Sequence, residues 1–316
     1  MTERSKASAY GGAGWSPREE SLRDEIGVVW GQCGVESEWA PLKSVILHCP
    51  GQEMDDITEP NRVQMLEVPD YDIVREQHDA LADAYRDVGV SVFYAEPPET
   101  PPSNLMFMAD LLFMTPEGVI LSRPASTVRA GEERFVARRL AELGIPILLS
   151  VRGTGTFEGA DAAWIDPETV LIGVGLRTNK EGASQVAGLL HEMDVEAIPV
   201  DLAHGAMHLM GSLRFPGRDL AVCRSGRTPY TAMNALRERG YSLVFAPDEE
   251  EAAKGMALNF VTLGPGRILM AAGNPTSQSF YGDVGIKCKT VETSELAKAA
   301  GGIGCLTGIL EREKRE

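Results

Sequence analysis

The sequence predicts an α/β protein built from five units of ββαβ type. Five segments look alike, because in each a helix-forming stretch ends at Gly or Asp and an apolar run follows: RDVGVSV (86–92), AELGIPI (141–147), HEMDVEA (191–197), RERGYSL (237–243) and GDVGIKC (282–288). A residue that closes a helix often takes the left-handed conformation, which Gly tolerates best and Asn or Asp next. The closing residues are spaced 55, 50, 46 and 45 positions apart: Gly89, Gly144, Asp194, Gly240 and Gly285.

Further strands are predicted between these helices. Four β-rich segments end at Gly, Pro or Ser: GVILSRP (118–124), TVLIGVG (169–175), DLAVCRS (219–225) and GRILMAAG (266–273). A period of 45–55 residues is typical of a closed array or propeller. A doubly wound α/β sheet contains the same helix-to-strand joints, so the periodicity alone leaves both architectures open.

Composition limits the classes of partner. The chain has 316 residues, 43% of them apolar and 24% charged, as expected for a soluble globular protein. A net charge of −16 argues against nucleic acid and acidic membranes as partners, and it suits a cationic small molecule. The polar N-terminus lacks the apolar core of a signal peptide. We therefore expect a polar tail over residues 1–25 and a single catalytic domain over residues 26–316.

The cysteines favour a reducing cytoplasm. There are five, an odd number, and none forms a C-x-x-C pair: Cys33, Cys49, Cys223, Cys288 and Cys305. A disulfide framework and a zinc knuckle are both disfavoured by this pattern.

The segment AAGGIGCLTGIL (299–310) makes Cys305 either a packed thiol or a nucleophile on a turn that needs glycine. A nucleophilic cysteine requires a thiolate and a proton carrier, which is usually histidine. Three of the five histidines are expected to be surface or satisfied structural residues: His48, His78 and His191. His204 and His208 lie on a loop that enters an apolar strand, and His208, next to the strand, is better fixed.

Carboxylates and arginines supply the other candidates. Glu158 and Asp161 flank a small-residue turn in FEGAD, and Asp110 stands in an apolar run, where an acid is costly unless it is paired or caps a turn. Three arginines follow apolar strands: Arg123, Arg129 and Arg177. A guanidinium can hold a carboxylate with two hydrogen bonds, although surface salt bridging is the commoner role of arginine.

An ordered set of segments resembles one family. These segments are ESEWAPLKSVILHCPGQEM, REQHDALADAYRDVGVSV, NLMFMAD, FEGAD, RTNKEG, MHLMGSL and GGIGCLTG, running from residue 36 to the end. They resemble, in the same order, the motifs of the guanidine-modifying enzymes, the superfamily of arginine deiminase, dimethylarginine dimethylaminohydrolase and glycine amidinotransferase.

The resemblance implies a five-bladed α/β propeller, the pentein fold. It also implies that Cys305 is the nucleophile, His208 the acid and base, and Glu158 the residue that orients His208. Asp110 would bind the guanidinium, and Arg129 and Arg177 the α-carboxylate of the substrate. Further substrate-binding candidates are Arg123, Asn104 and Asp161. No metal or organic cofactor is implied.

The sequence therefore predicts a cysteine-dependent hydrolase of arginine or a substituted arginine, acting through a covalent thiouronium on Cys305. Met210 stands where arginine deiminases and amidinotransferases carry an aspartate, which favours the dimethylarginine hydrolase branch, whereas Ala160 in FEGAD resembles the transferases. The alternatives are an amidinotransferase that uses an amine acceptor and a non-catalytic propeller that serves as a binding protein. A homo-oligomer is expected only by analogy.

Overall fold

A computed structural model describes residues 3–55 and 57–314 of the chain. The described residues form five separate three-stranded sheets. The strands are β1 (Leu42–Leu47), β2 (Ser91–Tyr94), β3 (Leu112–Thr115), β4 (Gly118–Leu121), β5 (Ile147–Ser150), β6 (Ala162–Asp166), β7 (Thr169–Val174), β8 (Glu196–Asp201), β9 (Leu213–Gly217), β10 (Leu220–Cys223), β11 (Ser242–Phe245), β12 (Val261–Gly264), β13 (Arg267–Ala271), β14 (Lys287–Val291) and β15 (Gly308–Arg312). The fold is a five-bladed α/β propeller, so the doubly wound alternative is excluded.

Each blade repeats one topology. A first strand pairs antiparallel with a second, which pairs parallel with a third, as β3, β4 and β5 do. A helix joins the second strand to the third, because parallel neighbours need a crossover connection. The α-helices are α1 (Leu22–Glu25), α2 (Tyr71–Arg86), α3 (Glu132–Glu142), α4 (Lys180–Glu192), α5 (Tyr230–Glu238), α6 (Glu249–Ala253), α7 (Pro275–Asp283), α8 (Ser294–Ala297) and α9 (Ile303–Leu306).

The predicted helix-closing residues are confirmed by their backbone. All five have positive φ: Gly89 (82°), Gly144 (71°), Asp194 (58°), Gly240 (80°) and Gly285 (85°). Asp194 adopts this conformation without being glycine, which agrees with the tolerance of Asp and Asn for it.

The end of the chain closes the ring of blades. β15 pairs antiparallel with β1, and β1 pairs parallel with β2, so the last strand of the sequence is the first strand of the first blade. The segment that carries Cys305 therefore precedes a first strand, as the corresponding segments of the other blades do.

This equivalence positions the predicted catalytic side chains. Asp110, Glu158 and His208 lie at short 3₁₀ turns just before β3, β6 and β9, the first strands of three successive blades. Cys305 lies in α9, just before β15. Because equivalent positions of a propeller lie at the same end of its axis, residues far apart in sequence converge on one pocket.

The N-terminal segment is mostly exposed until Gly31, whose N–H bonds the carbonyl of Gly144. The boundary at residue 25 stays a prediction, and residues 1, 2, 315 and 316 of the predicted tail and domain lie outside the described residues. In the described part of the chain, no helix has the length and apolar character needed to span a membrane. All five cysteines carry free thiols.

Candidate active site

A small pocket, with a cavity volume of about 20 Å³, gathers most of the predicted site residues. Its wall includes Asn104, Asp110, Arg129, Arg177, His208 and Cys305, together with Gln64, Phe107, Met207, Ala299, Ala300 and Gly301. These side chains come from segments that precede or follow strands of different blades. The pocket thus unites the nucleophile, the imidazole and the charged side chains that the resemblance implied.

An ion pair between His208 and Glu158 lies against this pocket. His208 Nε2 is 2.6 Å from Glu158 Oε2, and both side chains are buried. Burial by itself would lower the pKa of His208, but Asp110, Asp161 and Glu158 outweigh it and raise the pKa to about 9. Burial would raise the pKa of Glu158, but the hydrogen bond and charge of His208 lower it to about 2. At neutral pH the pair is imidazolium and carboxylate.

Cys305 is held by a residue that sequence reasoning missed. Asn259 donates from Nδ2 to Cys305 Sγ at 3.0 Å, and its Oδ1 accepts from the Cys305 backbone N–H at 3.1 Å. Burial and then Asp110 raise the pKa of the Cys305 thiol, whereas Gly302, Asn259 and Arg214 favour the thiolate. The free site therefore holds a thiol, and a cation bound beside it would promote its deprotonation.

The repeat itself contains the signal that would have found Asn259. It lies just before β12, the first strand of the fifth blade. Asp110, Glu158, His208 and Cys305 occupy the corresponding place in the other four blades. Each blade therefore contributes one polar or nucleophilic side chain from the turn before its first strand.

The glycines before Cys305 are needed for close packing rather than for a turn alone. A Cβ on Gly301 would meet the ring of Phe107 well inside van der Waals contact, and one on Gly302 would press on Asn259 and Met256. The neighbouring Ala300 has a positive φ of 74°. Cys305 itself lies in a one-turn helix, whereas the sequence predicted a turn.

Gly301→Ala is therefore expected to displace Phe107 or the segment that carries Cys305. A displacement of about 1 Å can cost on the order of 100-fold in rate, so we expect kcat/KM to fall by at least about tenfold. Steady-state kinetics on the variant would measure this. The control is Gly282→Ala in α7, where an added Cβ meets nothing within 4 Å. Equal activity of both variants would contradict the packing argument.

Arg129 is surrounded by carboxylates. Its Nη1 is 2.6 Å from Asp110 Oδ2 and its Nη2 is 2.8 Å from Glu132 Oε2, while Glu158 lies 3.6 Å away. The guanidinium is thus paired within the protein, and the predicted contact of Arg129 with a substrate carboxylate stays a prediction. Glu132 was not predicted, although its spacing of three residues from Arg129 at the start of a helix was visible.

Two acceptors on the pocket wall are buried without a hydrogen-bond partner. They are Oδ1 of Asp110 and Oδ1 of Asn104, whose amide nitrogen is bonded to the carbonyl of Val63. Buried acceptors are nearly always paired, so an unpaired set indicates a place for a ligand that donates hydrogen bonds.

The other three predicted substrate-binding residues differ in whether their side chains reach the pocket. Arg177 reaches the pocket and lies 3.3 Å from Glu158 Oε1, with its side chain partly exposed. Arg123 donates to the carbonyl of Gly155 at 3.0 Å and is absent from the pocket wall. Asp161 lies behind the wall, where it accepts hydrogen bonds from Thr178 Oγ1 and from the backbone N–H of Leu209, beside His208.

The other histidines mostly follow the sequence predictions. His48 is buried and satisfied by Glu53 at 2.9 Å, and His191 and His204 are exposed. The prediction for His78 is wrong. It is 1% exposed and both ring nitrogens lack a hydrogen-bond partner, because its position on α2 belongs to the face that packs into the core with Val74 and Leu81.

Met210 lies beside Gly304 and lines a second cavity of about 210 Å³, which also reaches His208 and Cys305. The position at which the resemblance implies an aspartate in arginine deiminases therefore presents a thioether next to Cys305.

Comparison with known proteins identifies the family. A sequence model described as arginine deiminase matches residues 99–226 and 217–312. Dimethylarginine dimethylaminohydrolase from Pseudomonas aeruginosa is 24% identical over 267 residues, which are 84% of this chain and 98% of that protein. Arginine deiminase from Rhodococcus erythropolis is 23% identical and covers 89% of this chain and 97% of that protein.

Solved structures share the fold. The Pseudomonas aeruginosa dimethylarginine dimethylaminohydrolase complexed with citrulline aligns with a TM-score of 0.72 at 23% identity, covering 86% of this chain and 100% of that one. An amidinotransferase from Microseira wollei aligns with a TM-score of 0.69 at 14% identity, covering 90% and 98%. The two curated relatives are hydrolases of C–N bonds in guanidino groups, and this chain is an enzyme of that class. It belongs to the arginine deiminase family, within the superfamily of guanidine-modifying enzymes.

Proposed function

We propose that the protein hydrolyses the guanidino group of arginine or a substituted arginine through a covalent thiouronium on Cys305. The observation that carries the proposal is that two buried acceptors without hydrogen-bond partners, Asp110 Oδ1 and Asn104 Oδ1, share one pocket with Cys305 and with His208, which is ion-paired with Glu158 behind the wall. A planar cation with several N–H donors fits these groups in charge and in hydrogen bonding.

The bound guanidinium would be oriented by these acceptors. A guanidinium carbon is a poor electrophile, because its positive charge is shared over three nitrogens. Asp110 and Asn104 accept hydrogen bonds from two of those nitrogens, which fixes the plane of the group relative to Cys305. The cation also favours the thiolate, which burial and Asp110 otherwise disfavour.

The reaction then divides into two steps. As the cation binds, the Cys305 thiol releases its proton to solvent; the thiolate adds to the guanidino carbon, and the His208 imidazolium gives its proton to the leaving amine as the C–N bond breaks. Water then attacks the thiouronium and gives one proton to His208, and the remaining hydroxyl proton passes to sulfur as the C–S bond breaks, which regenerates the thiol. Glu158 orients His208 and stabilises its charged form. Such general acid–base catalysis contributes about 10²–10⁴-fold to the rate.

One observation supports the dimethylarginine hydrolase branch over the deiminase branch. Met210 removes a second carboxylate from the guanidinium site, and its apolar side chain lies beside Gly304, next to the proposed nucleophile. Overall similarity does not separate the branches, because the curated dimethylarginine hydrolases from Pseudomonas aeruginosa and Streptomyces coelicolor align over 84% of this chain and the Rhodococcus erythropolis arginine deiminase over 89%. A methylated guanidino nitrogen offers fewer hydrogen-bond donors and more apolar surface. It therefore suits a site lined by Met210 better than an unmethylated nitrogen does.

The direct test is incubation with L-arginine, dimethylarginines, agmatine and guanidinoacetate, each with and without an amine acceptor, followed by mass spectrometry of the products. Product formation without an acceptor supports hydrolysis and names the substrate. Turnover only with an acceptor would replace the proposal by amidino transfer, and no turnover of any compound would contradict it.

Arg177→Ala tests how the other end of the substrate is held. Arg177 is the partly exposed guanidinium at the pocket, so we expect it to bind the α-carboxylate. Its loss should raise KM by roughly 10- to 100-fold for a carboxylate-bearing substrate, the cost of one charge-assisted pair. KM for agmatine, which has no carboxylate, should change little.

Arg123→Ala serves as the matched control, because Arg123 bonds the carbonyl of Gly155 outside the pocket wall. An equal rise in KM for both substrates in Arg177→Ala would show that Arg177 organises the site rather than binding the carboxylate.

A further inference from the structure

His78 is a buried histidine on α2 of the first blade, and its ring has no evident role. Its ring is 1% exposed, and neither Nδ1 nor Nε2 has a hydrogen-bond partner. A neutral imidazole always carries one donor and one acceptor, so a buried histidine is normally bonded at one nitrogen or both. The nearby His48, by contrast, is paired with Glu53 at 2.9 Å.

Two metal-ligating side chains approach His78. One ring nitrogen of His78, Cys49 Sγ and a carboxylate oxygen of Asp79 all lie within 4.8 Å of one another. The three belong to two elements, since Cys49 follows the end of β1, and His78 and Asp79 are consecutive in α2. The geometry points to a site for a divalent transition-metal ion of the zinc type, bound by Cys49, His78 and Asp79.

The donor set fits such an ion. A thiolate, an imidazole and a carboxylate are the ligands that zinc uses, and their atoms lie about 3.3–3.7 Å apart in a tetrahedral site. Because the three atoms lie within 4.8 Å of one another, the contraction needed to reach that geometry is at most about 1.5 Å. Cys49 is half-buried and Asp79 is exposed, so rotations of these two side chains can bring them to the buried imidazole. A solvent molecule would complete the four ligands.

Metal binding would also resolve the electrostatics of Cys49. Burial and then Asp79 raise the pKa of its thiol, while Arg75 acts in the opposite direction. A bound cation reverses this penalty, because a coordinating thiol is deprotonated by the metal. The absence of a C-x-x-C pair, which argued against a zinc knuckle, does not exclude this site, because Cys49 and His78 lie 29 positions apart in sequence and meet only in the fold.

The site lies at the base of a segment that reaches the catalytic pocket. Residues 48–70 join β1 to α2 and carry Gln64, which lines the pocket and bonds Ser126. A metal between Cys49 and α2 would tie the two ends of this segment together. It would therefore stabilise one wall of the pocket without touching the substrate.

The described residues also contain a second group of potential metal ligands, which we do not propose as a metal site. Asp110, Glu158 and His208 also lie within 4.8 Å of one another. That cluster already holds the guanidinium of Arg129, which is bonded to Asp110 and lies 3.6 Å from Glu158. Two protein cations, Arg129 and the protonated His208, already compensate the carboxylates of this cluster.

The test uses Cys305→Ala as the background, so that the catalytic thiol cannot bind the added metal. Chelator-treated protein is titrated with Co²⁺, whose complexes with a thiolate show a charge-transfer band in the near ultraviolet, and then with Zn²⁺ as competitor. We expect one Co²⁺ per chain with that band, displacement by Zn²⁺, and a higher Tm with metal.

Three variants in the same background decide the assignment. Cys49→Ser should remove the band, and Asp79→Asn, at an exposed position that does not threaten folding, should weaken binding at least about tenfold. Cys288→Ser, another half-buried cysteine, should leave binding unchanged. The proposal is overturned if the Cys305→Ala protein shows no thiolate band, if the band persists in Cys49→Ser, or if Asp79→Asn binds Co²⁺ as tightly as the background.

Discussion

Cys305→Ala is expected to abolish turnover and leave the fold intact. The thiol is held by Asn259 on one side of the pocket, and no step of the proposed mechanism proceeds without the C–S bond. Loss of a covalent nucleophile lowers kcat by about 10⁴-fold or more. The substitution removes a single sulfur atom from a partly buried position, so Tm should change little. Product formation and thermal unfolding would be measured on the same preparation.

The matched control is Cys288→Ala, in β14 and outside the pocket, which should retain wild-type activity. Residual activity of Cys305→Ala above a few per cent would rule out the covalent mechanism.

Glu158→Gln is expected to be the most damaging isosteric change in the site. Glu158 faces His208 at 2.6 Å and also lies within 3.6 Å of Arg129 and 3.3 Å of Arg177. A neutral amide would leave the buried cations His208 and Arg129 with less compensation, and breaking a buried pair costs about 3–5 kcal/mol. We expect kcat/KM to fall by about 10²–10⁴-fold, since His208 loses the group that orients it.

The pH dependence of kcat/KM distinguishes the loss of control over His208 from a general disturbance of the structure. His208 must be protonated to donate to the leaving amine, so kcat/KM should decline as pH rises through about 9 in the wild type. Because Glu158 contributes to the raised pKa of His208, the decline should begin at a lower pH in Glu158→Gln. An unchanged alkaline limb would show that Glu158 does not control the protonation of His208.

Glu53→Gln provides the matched control. Glu53 is also a buried carboxylate paired with a histidine, His48, but the pair lies outside the catalytic pocket. Its loss should lower Tm while leaving the pH profile of kcat/KM unchanged.

The ion pair between His208 and Glu158 also makes the stability of the fold depend on pH. The raised pKa of His208 contributes stability fully below pH 6.5, and this contribution is lost as pH rises through about 9. The lowered pKa of Glu158 contributes stability above pH 4.5, and this is lost as pH falls through about 2.

The blade pattern could be predicted from sequence because it rests on local rules. Gly89 and Asp194 ended helices as predicted, since a left-handed closing residue is a property of one position and its neighbours. Ring closure could not be predicted from periodicity. It depends on β15 pairing with β1, more than 250 residues away, and the same local pattern suits an open sheet.

Within the site, the ordered motifs predicted the residues that meet in the pocket, but they could not predict the partners of those residues. Asn259 and Glu132 were missed because each acts through another side chain, Cys305 and Arg129 respectively. Arg123 was included because it follows a strand as Arg177 does, yet its side chain turns to a backbone carbonyl. Such distinctions depend on side-chain direction, which spacing does not fix.

The measurement that tests the covalent mechanism most directly is mass spectrometry of the enzyme quenched during turnover. The mechanism predicts an adduct on the peptide that contains Cys305, with the mass of the substrate less the released amine. The adduct should be absent from Cys305→Ala and should disappear once the substrate is consumed. Turnover without any adduct on Cys305, or an adduct confined to another cysteine, would contradict nucleophilic catalysis by Cys305.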